Sequence, residues 1–139
     1  MKVMAVDPGE KRLGIAVSDE TGNLARPLMV IIHVNLKSDA AQIASIADEQ
    51  KVELIIIGAA FGSEGQETPA SRHASRLMAE ICLQTETRCV LWDESGSTIN
   101  TLSILREMNI RKNRRTGHQD DLAAANILQS YLDTPEELR

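Results

Sequence analysis

The sequence predicts an α/β fold: a five-stranded mixed sheet, three antiparallel strands and then two parallel ones, with helices on both faces. Three observations carry this. Three apolar runs come first, separated by turn-forming residues at short distance. The hydrophobic spacing then becomes helical between residues 37 and 50. After that, apolar runs alternate with helical stretches, an order that adds parallel strands. No linker or repeat interrupts the 139 residues. A single domain over residues 1–139 is expected, with residues 134–139 as a frayed tail.

Lys2 to Val6 and Leu13 to Ser18 read as the first two strands. Pro8 and Gly9 turn the chain between them, Pro by fixing φ and Gly by admitting φ > 0. Thr21-Gly22-Asn23 marks the next turn, and the β-branched run from Leu28 to Val34 reads as the third strand. Lys37 to Gln50 reads as a helix, with Ala40, Ile43, Ala44, Ile46 and Ala47 on one face and Ser38 as its cap. Val52 to Ile57 is apolar throughout, as a strand buried on both faces must be, and ends at Gly58. After a loop, Thr68-Pro69 reads as an N-cap followed by proline at the first helical position. Ala70, Ala74, Leu77, Met78 and Ile81 line that helix. Arg88 to Trp92 is the fifth strand and ends in Asp93-Glu94. Ile99, Leu102, Leu105 and Met108 continue as a helix, and Leu122 to Leu132 form the last one.

The net charge of −5 argues against a protein that coats nucleic acid, but the charge is uneven. Arg111, Lys112, Arg114 and Arg115 put four cations within five residues. Phe61, Trp92 and Tyr131 are the only aromatics, too few for a surface that stacks bases on rings. Cys82 and Cys89 fit neither a zinc site nor a C-x-x-C redox pair and read as reduced core thiols of a cytoplasmic protein. The opening strand pattern leaves no room for a secretion signal, and no apolar run approaches membrane-spanning length.

In open α/β sheets, sites form at the carboxyl ends of strands. Asp7 ends the first strand, with Gly14 leaving the backbone bare opposite it. Asp93 and Glu94 end the last strand. Neighbours along a strand point to opposite faces, so only one of the two can share a face with Asp7, and periodicity does not say which. Asp120 and Asp121 open the final helix, both at the edge of the face made by Ala124, Ile127, Leu128 and Tyr131. Capping and helix-dipole stabilisation would explain either aspartate taken alone, at about 0.5–2 kcal/mol. Three carboxylates from separate elements at one sheet edge would repel one another without a cation. Mg²⁺ or Mn²⁺ takes such oxygen ligands, and a pair of ions can drive phosphodiester cleavage. His118 is placed to assist as a proton carrier. The loop from Arg111 to Arg115 and, more weakly, Arg12 are candidate phosphate contacts.

The segment D-P-G-E-K-R-L-G-I-A-V-S-D, Asp7 to Asp19, resembles the opening motif of the YqgF family, also called RuvX. That family is described as Holliday junction resolvases and pre-16S rRNA nucleases. D-D-L-A-A-A-N-I-L-Q-S-Y-L-D, Asp120 to Asp133, is similar to its closing helix. The element order fits over nearly the whole chain. The resemblance implies a ribonuclease H-like fold and two-metal cleavage of nucleic acid. It puts the family's acidic residues on Asp7, Glu94 and Asp120, with Asp121 auxiliary. Two departures stand out. The family's D-E-R-L-T-T is D-E-S-G-S-T here, with Ser95 in place of arginine, and its G-x-P loop is Gly58-Ala59-Ala60. Precursor rRNA or branched DNA is therefore the expected partner, of a monomer or homodimer. The competing expectation is a nucleic-acid or ribosome-assembly binding protein without catalysis. The D-x-G start also occurs in actin-like ATPases, but those need a second such domain to close over ATP.

Overall fold

The computed structural model describes residues 1–94 and 119–139. Five strands form one mixed sheet: β1 (Val3–Pro8), β2 (Arg12–Ser18), β3 (Ala25–Ile32), β4 (Leu54–Ala59) and β5 (Arg88–Asp93). Their order is β3-β2-β1-β4-β5. β1 pairs antiparallel with β2, which pairs antiparallel with β3, while β4 is parallel to both β1 and β5. Three helices are described: α1 (Leu36–Gln50), α2 (Pro69–Gln84) and α3 (Gln119–Asp133). The expected helix between Ile99 and Met108 lies outside the described residues.

Strand alternation splits the core in two. Met4, Val6, Leu13, Ile15, Val17, Ile55 and Ile57 face α1 and α2. Val3, Ala5, Ala16, Leu54 and Ile56 face α3, where Ala124, Leu128 and Tyr131 close over them. Ile55, Ile56 and Ile57 are all fully buried, so the continuous apolar run is indeed a strand covered on both sides. Each such side chain contributes about 1.5–3 kcal/mol of burial.

Several local expectations need correcting. β3 begins at Ala25, not Leu28, because an edge strand tolerates Pro27 and because Ala25 N–H donates to Gln129 Oε1 at 2.9 Å. Its register to β2 slips at Ile15/Ala16, leaving Leu28 as the extra residue. The α1 cap is Asn35, whose side chain accepts from the Ser38 N–H at 2.8 Å; Ser38 itself is inside the helix. Thr68 caps α2 as expected, in a reciprocal box with Ser71. Ala70 is exposed on that helix, since the buried stripe runs through Ser71, Ala74, Leu77 and Ile81. β4 starts at Leu54 and continues through Gly58 to Ala59. Cys82 is exposed, whereas Cys89 is half-buried and not disulfide-bonded. Burial, with Cys82 beside it, pushes the Cys89 thiol up to about 12, which makes it a poor nucleophile. At the tail, Glu136–Leu138 form a 3₁₀ turn and Arg139 stacks 4.6 Å over the Tyr131 ring. Among the described residues, no helix is long and apolar enough to cross a membrane.

Candidate active site

The β1–β2 hairpin fixes the position of Asp7. Gly9 N–H donates to Arg12 C=O at 3.0 Å across the turn, and Asp7 lies one residue before the end of β1, paired in register with Gly14. Any side chain at Gly9 would run into that same carbonyl, so the tight turn requires glycine. Val3 and Ala5 face α3 while Met4 and Val6 face α1 and α2. By the two-residue period, Asp7 therefore points to the α3 side. The same reasoning puts Gly14, two residues before Ala16, on that side, so no side chain stands directly opposite the carboxylate.

Packing resolves the Asp93/Glu94 choice that periodicity left open. On β5, Val90 and Trp92 face α3, whereas Cys89 and Leu91 face the other side. Asp93 accordingly belongs with α1 and α2, and Glu94 with α3. Glu94 N–H donates to Ala59 C=O at 3.0 Å, carrying the β4–β5 ladder one step further. Its side chain then folds over Gly58. A Cβ on Gly58 would come within 2.5 Å of Glu94 Oε1 and 2.7 Å of Ile127 Cδ1.

Gly58 thus belongs to this candidate site, although reading the sequence treated it only as the end of a strand and the start of the loop that departs from G-x-P. The register Val6↔Ile57 makes Gly58 the next step beside Asp7, and Gly58 pairs with Trp92 on β5. The Glu94 carboxylate lies over the strand adjacent to Asp7, at a spacing of about 5 Å between strands. The available signal was a glycine directly after an unbroken apolar run at the carboxyl end of a central strand.

α3 crosses this face. Ile127 lies against Gly58, and Gln129 reaches the Asn23 carbonyl at 3.0 Å near the opposite edge of the sheet. Asp120 and Asp121 belong to the first turn of α3. Their side chains, together with Arg111, Lys112, Arg114, Arg115 and His118, lie outside the described residues. Arg12 is exposed at the start of β2 and is paired with Ile32. Among the described residues, no three His, Cys, Asp or Glu side chains gather to hold a metal ion. What is described fits a hard cation in another way. Two carboxylates share a face of the sheet from which Gly14 and Gly58 remove competing bulk. Trp92 lines the same face, edge-on to Tyr131 with centroids 5.1 Å apart. Among the described residues its buried Nε1–H has no hydrogen-bond partner.

Comparison with known proteins agrees with this architecture. The family model RuvX, described as Holliday junction resolvase, matches residues 1–134. The chain is 35% identical over 133 residues to a Carboxydothermus hydrogenoformans protein named "Putative pre-16S rRNA nuclease", covering 96% of each. A Myxococcus xanthus protein of the same name is 36% identical over 134 residues, covering 96% of this chain and 88% of the relative. Among solved structures, Thermus thermophilus RuvC bound to a Holliday junction superposes with a TM-score of 0.60 at 13% identity, covering 95% of this chain and 93% of RuvC. The fowlpox virus Holliday junction resolvase gives 0.57 at 17% identity over the whole of both chains. At such identities the likeness is one of fold, the ribonuclease H-like fold of these resolvases.

Proposed function

Because the chain belongs to the RuvX family of Holliday junction resolvases, we propose that it is a divalent-metal-dependent nuclease that hydrolyses phosphodiesters in structured nucleic acid. The observation that carries this is the placement of Asp7 and Glu94 on the same glycine-lined α3 face. Asp7, Glu94 and Asp120 would hold Mg²⁺ or Mn²⁺, as two ions. When bound, such ions activate water and stabilise the leaving oxygen. The chain's own part is positional. The sheet fixes Asp7 through its ladder, and the β4–β5 extension fixes Glu94, so that neither carboxylate must be ordered during the reaction. Asp121 and His118 are auxiliary in this reading. Arg12, Arg111, Lys112, Arg114 and Arg115 hold phosphates of the substrate. The relatives' names suggest precursor 16S rRNA as substrate, and the structural neighbours' titles suggest branched DNA. The working unit is one domain in the cytoplasm.

The test is cleavage of a pre-16S rRNA 5′ fragment and of a four-way DNA junction in Mn²⁺, by the wild type and by Asp7→Asn. Cleavage of at least one substrate is expected, and the variant should lose about a hundredfold or more. Equal cleavage by both proteins would rule the assignment out.

One observation favours a second reading, that of a binding protein without catalysis: Ser95 stands where the family motif carries arginine. Tight, salt-sensitive binding with no cleavage in any divalent metal would support it, and reversing the charges of Arg114 and Arg115 should then weaken binding.

A further inference from the structure

A second titratable cluster lies at the same edge of the sheet, on the opposite face. Asp39, in the first turn of α1, is 1% exposed. Its Oδ1 accepts from the Val34 N–H at 3.0 Å, and its Oδ2 is bonded to His33 Nδ1. The main-chain N–H of His33 donates to Lys11 C=O at 2.9 Å, which ties this residue to the β1–β2 turn that carries Asp7. The His33 ring meets the His73 ring of α2 edge-on, with centroids 6.4 Å apart and planes at 88°.

A buried carboxylate is costly unless its oxygens are satisfied. Here both oxygens are used, and one of them orients an imidazole whose side chain stays 31% exposed. With Nδ1 committed, Nε2 is the nitrogen left to meet a ligand, and among the described residues it has no hydrogen-bond partner.

The surroundings decide which ligand. Two imidazoles are too few to hold a cation, and no third ligand joins them among the described residues. The exposed charges nearby are mainly cationic, Lys11 in the adjoining turn and Arg72 and Arg76 on α2 on either side of His73, against Glu10 in that same turn. Such a field repels cations and attracts anions. Protonated on both nitrogens, the ring donates Nε2–H outward while Asp39 balances its charge at Nδ1. The groups recorded against this ring are Asp39 from α1, His73 from α2 and the Lys11 main chain.

β3 lies two strands from β1, about 10 Å away, a distance that a nucleic-acid strand covers in about three nucleotides. We infer that His33, oriented by Asp39 and flanked by His73, is a phosphate contact for the nucleic-acid strand as it leaves the carboxylate site across the β1–β2 turn. This inference rests on the nucleic-acid reading above.

The experiment is fluorescence anisotropy in EDTA with a labelled pre-16S rRNA 5′ fragment and a labelled four-way DNA junction, at about pH 6 and about pH 8. The wild type should bind about fivefold tighter at the lower pH, and His33→Gln should lose that difference. Asp39→Asn, checked for folding by circular dichroism, should lose it too, because the ring is then no longer oriented. If His33→Gln binds like the wild type at both pH values, the inference fails alone. If the wild type binds neither nucleic acid, in EDTA or in Mn²⁺, the nucleic-acid reading fails with it.

Discussion

The two faces of this sheet are built from the same strands, yet they do different things. Toward α1 and α2, the central strands present Met4, Val6, Leu13, Ile15, Val17, Ile55 and Ile57, an unbroken aliphatic layer. Toward α3 they present Val3, Ala5, Ala16, Leu54 and Ile56, with Gly14 and Gly58 at the carboxyl edge beside Asp7 and Glu94. Bulk on one face supplies stability. Small residues on the other make room for charge. On the proposed function, stability and chemistry are separated by side-chain parity, and substitutions on the two faces should fail in different ways.

The largest effect is expected at Gly58. Gly58→Ala puts a methyl where Glu94 Oε1 and Ile127 Cδ1 already stand. Cleavage should fall about a hundredfold through displacement of the carboxylate. Urea unfolding should report a loss of only about 1–3 kcal/mol. Near-normal cleavage by this variant would mean that Glu94 need not stay over Gly58.

On the opposite face, Ile55→Ala should reverse the pattern. Removing a fully buried side chain should cost about 2–5 kcal/mol by urea titration. Cleavage per folded molecule should be nearly unchanged. A large loss of specific activity would show that the two faces are coupled.

A smaller effect is expected at Trp92. Trp92→Phe removes a buried Nε1–H that lacks a partner among the described residues, but also some contact with Tyr131. The two changes oppose each other, so stability should stay within about 1 kcal/mol.

The smallest is at Asp19, in the turn after β2. Its carboxylate accepts from the N–H groups of Asn23 at 2.9 Å and Leu24 at 3.3 Å and from Thr21 Oγ1 at 2.8 Å. The Asn23 bond, then that from Thr21, holds its pKa below the ordinary 3.8. The sign follows from linkage. A carboxylate with a lowered folded pKa contributes stability above 3.8 that is lost as pH falls below it. Asp19→Asn should therefore lower stability slightly at neutral pH, flatten the acid limb of a pH–stability curve and converge with the wild type in acid. Asp19 is also the counterpart of Asp7. Both are turn-side aspartates of β2's two hairpins, but Asp19 spends its oxygens on its own turn, whereas Asp7 sits within a strand ladder facing glycine.

Most of the architecture could be read from residue pattern alone, because strand and helix periodicity are local. The Pro8-Gly9 turn, the doubly buried run at Ile55–Ile57 and the Thr68-Pro69 helix start are all determined by neighbours within a few residues. From pattern alone the candidate site was legible as far as Asp7, the Asp93-Glu94 pair and the Asp120-Asp121 pair, and the family resemblance pointed to Glu94 and Asp120. Strand alternation separates Asp93 from Glu94 but is silent on which of them faces α3. Physically, the packing of Val90 and Trp92 under α3 decides that, because it sets the parity of β5 against that of β1. The role of Gly58 was hidden for the same reason: its lack of a side chain matters only once Glu94 and Ile127, far along the chain, arrive above it. The His33–Asp39 pair was equally out of reach, since a buried carboxylate is recognised by the helix that buries it.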